Sequence, residues 1–186
     1  MSNSIDKYLL KSLPRNTNNQ YLLDMAQFDN NWYYISASPQ DKYVFLYRNP
    51  LKRTKSGNTI PIAPQMSLSL PSPQYISFSD NARFIGMQSG KKFVVYDGEQ
   101  NRVYMFESPL NIASIQQAKW MDGHRFSVVT DSKAQVFEFD GTNQQTLISS
   151  HPEFNAYFDR DYKYIFTLIN QADNKVGFEN GQLILN

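Results

Sequence analysis

The chain has 186 residues, one domain's worth and enough to bury a sizeable core. Its 18 basic and 17 acidic side chains leave a net charge near +1, so no long-range field would recruit nucleic acid or an anionic membrane. Cysteine is absent, which excludes disulfides, thiolate catalysis and Cys-ligated zinc. Apolar runs are a few residues long, against the roughly 20 that span a bilayer, so the chain is not itself expected to be membrane-spanning.

At the N-terminus, Ile5, Leu9 and Leu13 recur four apart, which predicts a short helix ended by Pro14 within an arm covering residues 1–18. No basic start followed by an apolar stretch is present, so no signal peptide is expected. Residues 20–25 (Gln20 to Met25) read as an extra strand. It is expected to belong to the outside of a preceding unit, or to close against the last one, its exposed edge otherwise inviting another chain.

From residue 19 to 186 the chain reads as one β domain, rich in Phe and Tyr (13 and 12) that suit a pleated surface. A strand, an acidic turn and a second strand recur. Ile35-Ser36-Ala37-Ser38-Pro39 turns at Asp41 into Tyr43-Val44-Phe45, and Ile76-Ser77-Phe78 turns at Asp80 into Phe84-Ile85. Lys119-Trp120-Met121 turns at Asp122 into Phe126-Ser127-Val128, and Tyr157-Phe158 turns at Asp161 into Tyr164-Ile165-Phe166. The four aspartates are 39, 42 and 39 residues apart, the length of one propeller blade. Units are expected at about 28–70, 71–110, 111–150 and 151–186.

Each unit continues into a second hairpin. Phe93–Tyr96 turns at Asp97-Gly98 into Val103–Phe106, and Val136–Phe139 turns at Asp140-Gly141 into Thr146–Ile148. Val176–Phe178 is expected to turn at Asn180-Gly181 into Leu183–Leu185. The glycines are expected to supply the positive φ of tight turns. Continuous apolar runs such as Phe93–Tyr96 and Val103–Phe106 imply strands buried on both faces, hence sheets stacked face to face. The expected fold is all-β: about four propeller-blade-like antiparallel meanders, as a closed four-bladed or open partial propeller. A β-sandwich is the alternative.

Phe137-Glu138-Phe139-Asp140-Gly141-Thr142-Asn143-Gln144-Gln145-Thr146-Leu147 resembles the third strand, turn and fourth strand of a TolB-type propeller repeat. Ser38-Pro39-Gln40-Asp41 resembles that family's first turn, although no glycine follows the aspartate. The chain differs from WD repeats in lacking a Gly-His opening and a Trp-Asp ending. The resemblance implies a propeller that binds proteins or cell-surface components, often outside the cytoplasm and associated with the bacterial envelope. It implies no chemistry.

No nucleotide, P-loop or nucleophile-elbow motif is present. His124 and His151 are 27 residues apart in separate connections, so they read as loop residues rather than metal ligands. Asp159-Arg160-Asp161 lacks the alternating oxygens and distal Glu of a calcium loop and reads as a turn. Trp32 and Trp120, at corresponding places, read as packing between sheets. The basic cluster Lys52, Arg53 and Lys55 is the candidate contact for an anionic partner. No catalytic residue, metal or cofactor is expected. The expected function is a non-enzymatic binding or scaffold module for a protein or cell-surface component. The alternatives are a carbohydrate-binding module, or a piece of a hydrolase whose catalytic residues lie elsewhere.

Overall fold

The computed structural model describes residues 20–53, 61–172 and 175–183. The expected N-terminal helix and Lys55 lie outside the described residues. The fold is all-β, with four antiparallel sheets taken in chain order and, among the described residues, no α-helix.

The first sheet holds β1 (Leu22–Phe28), β2 (Asn31–Ala37), β3 (Tyr43–Arg48) and β4 (Met66–Ser69), and a 3₁₀ turn spans Pro50–Arg53. The second holds β5 (Tyr75–Phe78), β6 (Phe84–Ser89), β7 (Lys92–Asp97) and β8 (Arg102–Glu107). The third holds β9 (Lys119–Trp120), β10 (Arg125–Thr130), β11 (Lys133–Glu138) and β12 (Gln145–Ser149). The fourth holds β13 (Tyr157–Phe158), β14 (Tyr164–Asn170) and β15 (Val176–Gln182). Every sheet is a simple meander, each strand pairing with its sequence neighbour.

The sheets pack through three apolar layers. Tyr33, Ile35 and Leu46 of the first meet Ile85, Met87 and Tyr96 of the second. Phe84, Phe93 and Val95, on the second sheet's other face, meet Phe126, Val128 and Phe137 of the third. Val129 and Ala134 of the third meet Ile165 of the fourth. The two central sheets are thus covered on both faces, which is why Phe93, Val94, Val95 and Tyr96 are all buried. β8 departs from that expectation. It is an edge strand and leaves Met105 67% exposed.

The recurring turn sits one strand later in the first sheet, between β2 and β3, than in the others, where it joins the first two strands. In the last three sheets the pair flanking the first turn points at the preceding sheet: Phe78 with Ile85, Trp120 with Phe126, Phe158 with Ile165. In the first sheet the corresponding Ala37 and Val44 point at the following sheet.

Three sequence expectations are corrected here. The segment beginning at Leu22 belongs to neither a preceding nor the last unit; β1 pairs with β2 from Leu22↔Ala37 to Phe28↔Asn31, so the first unit starts before residue 28. Asn180-Gly181 is not a turn. β15 runs straight through it, pairing Asn180 with Phe166 and Gly181 with Ile165. Glycine is used there for close approach, since a Cβ at residue 181 would lie 3.1 Å from Ile148 Cδ1.

The third concerns the Asp-Gly pairs, of which only Gly141 has a positive φ, +86°. The two-residue hairpin turns instead fall at Asp29-Asn30, Gly90-Lys91 and Asp131-Ser132, with positive φ at Asp29, Asn30, Gly90, Asp131 and Ser132. At 97–98 and 122–123 the aspartate is the working residue. Asp97 Oδ1 accepts from the Glu99 and Gln100 N–H groups, and Asp122 Oδ1 from those of His124 and Arg125.

Candidate functional site

Two adjoining clefts run where the third and fourth sheets begin. The larger, about 680 Å³, lies between the 111–117 connection, the end of β10 and residues 152–155. That volume falls in the range of ligand-binding clefts. The smaller, about 360 Å³, lies between the turns at Asp80 and Asp159 and the start of β9. Lys119 lines both, at the place where they adjoin, and the two together are called the groove below.

The wall of the larger cleft is an irregular connection held by side chains from three strands. Gln88 at the end of β6 is 3% exposed. Its Oε1 accepts from Ala118 N–H at 2.9 Å, and its Nε2 donates to Gln116 O at 2.8 Å and Gly90 O at 3.0 Å. Thr130 Oγ1 donates to Asn111 O at 2.8 Å and the Tyr75 hydroxyl to Ile115 O at 2.7 Å. A buried amide satisfied on both ends fixes backbone strongly, because an unmet bond there would cost about 1–3 kcal/mol. The connection therefore holds Ile115 at the rim, 86% exposed, facing a cleft that also exposes 43% of Phe154.

In the smaller cleft the Tyr162 hydroxyl donates to Asp80 Oδ2 at 3.1 Å, tying the turn of the fourth sheet to that of the second. Burial, then the Asp80 hydrogen bond, pushes the Tyr162 phenol above its ordinary value. Tyr162 itself sits at φ +55°, as does Ala82 at +58° in the corresponding turn. Four carboxylates line the groove, Asp80, Asp131, Glu153 and Asp159, against two cations, Lys119 and Arg160. Carboxamides from Asn111, Gln116, Gln117 and Asn155 complete it. These groups can hydrogen-bond, stack and attract positive charge.

The residues singled out by sequence lie elsewhere or serve the fold. His124 packs edge-on against Phe84 at 5.5 Å, and His151 Nδ1 accepts from Glu153 N–H while its ring meets Phe154 at 5.2 Å. Among the described residues no group of three His, Cys, Asp or Glu is placed to hold a metal. Lys52 is exposed on the 3₁₀ turn that Arg53 ends, away from the groove lining. Trp120 is half-buried between the second and third sheets as expected, and its Nε1 donates to Ser77 O at 3.2 Å. Trp32 is not core: it is 43% exposed beside the β1–β2 turn. Asp159 serves its turn, accepting from Tyr164 N–H at 2.6 Å. No described helix is long and apolar enough to cross a membrane.

Sequence reading missed the groove because its walls come from irregular segments. The available signal was the long connection from Ser108 to Ala118, which ends in Gln116-Gln117 and carries an isolated Ile115. No protein-family model matches the chain, and no curated protein matches it.

Proposed function

We propose that the chain is a non-enzymatic binding module of β-propeller type, and that its groove receives an extended segment of a protein partner. The observation that carries this reading is the Gln88-anchored connection, which holds an apolar side chain, Ile115, out at the edge of a cleft of about 680 Å³. A fixed wall reduces the ordering cost of binding. The excess of carboxylates favours a segment carrying Lys or Arg beside apolar residues.

The propeller reading rests on the period near 40, on the TolB-like residues, and on unlike-face stacking of the last three sheets. An envelope location of the kind the resemblance implies would make the partner another envelope protein.

The test is selection from a displayed random-peptide library, run beside an oligosaccharide array. The expected result is a family of basic-apolar peptides whose affinity falls at least tenfold on Ile115→Asp or Phe154→Ala. Enrichment of glycans with no peptide, or peptides indifferent to both substitutions, would overturn the reading.

A further inference from the structure

Among the described residues, no sheet lies on the far face of the fourth sheet. Phe158 and Ile165 point inward at the third sheet, so the alternate residues of the strands point outward. Tyr157, Tyr164, Phe166, Leu168, Val176 and Phe178 share that outward face, with Phe166 stacked on Phe178 at 5.8 Å and 8°. Phe178 is 74% exposed, Tyr157 65%, Val176 49% and Tyr164 42%. The other positions on the face are the amides Asn170, Asn180 and Gln182.

We propose that this face is a homodimer interface, closed by a two-fold axis that sets the fourth sheets of two copies against one another. Two observations select a second copy as the occupant. None of the paired positions that share the face carries a charge, so two identical faces meet without like-charge repulsion. The area is sufficient. At the 150–250 Å² an aromatic side chain can bury, the exposed fractions leave on the order of 450 Å² of apolar surface per copy, about 900 Å² in a two-fold contact. The amides at the edge add polar area, which brings the contact into the range of weak, reversible association. An isologous contact of this kind saturates the face and stops at two copies.

The test is sedimentation of the full chain from about 1 to about 300 µM, the range in which such an association is read. A monomer–dimer equilibrium is expected. Phe178→Asp should weaken it at least tenfold while thermal unfolding of the monomer stays within a few degrees, since Phe178 is mostly exposed. If Phe178→Asp fails to fold, Tyr157→Lys gives the same reading. Leu23→Asp, on the first sheet, should leave dimerisation unchanged. A wild-type chain monomeric throughout, species growing beyond dimer, or a dimer insensitive to both substitutions on the fourth sheet would overturn the proposal.

Discussion

The rings of Trp120 and Phe126 lie face to face, centroids 3.8 Å apart, and the space they occupy exists because residue 86 has no side chain. A Cβ at Gly86 would stand 2.8 Å from Phe126 Cζ and 2.9 Å from Trp120 Cζ2. Three residues from two sheets thus form one unit, with the Phe84 ring also stacked on the indole at 6.2 Å.

Gly86→Ala should therefore destabilise by about 1–3 kcal/mol through overpacking alone, since its backbone φ is ordinary. Trp120→Ala should cost about 3 kcal/mol as a half-buried aromatic deletion. The double variant should cost less than the sum, because removing the indole makes room for the new methyl. Urea midpoints of the four proteins measure the coupling. Strict additivity would mean that the indole does not confine residue 86.

Gly90 and Gly141 separate backbone strain from crowding. Both have positive φ, +56° and +86°, but a Cβ at Gly90 meets nothing within 4 Å, whereas one at Gly141 meets the Phe106 ring at 2.5 Å. Gly90→Ala should cost about 1 kcal/mol and Gly141→Ala about 3 kcal/mol. Adding Phe106→Leu should recover part of the second loss and none of the first. Equal costs at the two glycines would refute the crowding argument.

Much of this architecture was legible in the residues. The period of the aspartates marked the repeating turns, and the apolar run Phe93–Tyr96 marked a strand covered on both faces. What was hidden depends on long-range register. Asn180-Gly181 has the local chemistry of a hairpin, yet seven ladder pairs with β14 hold it extended. Which side of the first sheet meets the second is set by the partner that buries Ile35 and Val44, and alternation alone is blind to that. Of the groove, the sequence showed only isolated polar and apolar residues. Gln88 and Gln116 are 28 apart and nothing local couples them.

Stability should depend on pH through two carboxyls of opposite sign. Burial by itself would raise Asp97, but the Arg83 hydrogen bonds at 3.0 and 2.8 Å and the N–H groups of Gln100 and Glu99 outweigh it and hold the carboxyl below its ordinary value. A depressed folded value gives stability that is present above the unfolded value and lost as pH falls through the folded one. Burial pushes Glu138 up, with Arg125 opposing. Its contribution is present below the ordinary glutamate value and lost as pH rises through the folded one. Asp97→Asn should cost about 3 kcal/mol at neutral pH, as one partner of a buried pair is removed, and should flatten the acid limb of the profile. Glu138→Gln should stabilise at neutral pH and be silent at low pH. Urea midpoints from pH 3 to pH 8 test both signs, and a Glu138→Gln profile parallel to that of the wild type would defeat the second.

The last prediction concerns β1, which joins the first sheet to the second. Its seven residues pair with β2, and Leu22 and Phe28 enter the layer between the first two sheets. Asp24 makes the direct link: its Oδ2 accepts from Phe78 N–H at 3.2 Å across the sheet boundary, while Oδ1 accepts from Met25 N–H at 2.8 Å. Phe28 lies against the turn at Gly98, where a Cβ would meet its ring at 3.4 Å. Asp24→Ala leaves the part-buried Phe78 N–H unpaired and should cost about 1–2 kcal/mol. Asp24→Asn keeps an acceptor oxygen and should cost less than half as much. Deleting residues 1–29 exposes the apolar layer beneath and should abolish cooperative unfolding of the first two sheets, read by loss of amide-exchange protection at Ile35 and Met87. Retained protection at those amides in the truncated chain would show that the first two sheets hold together without β1.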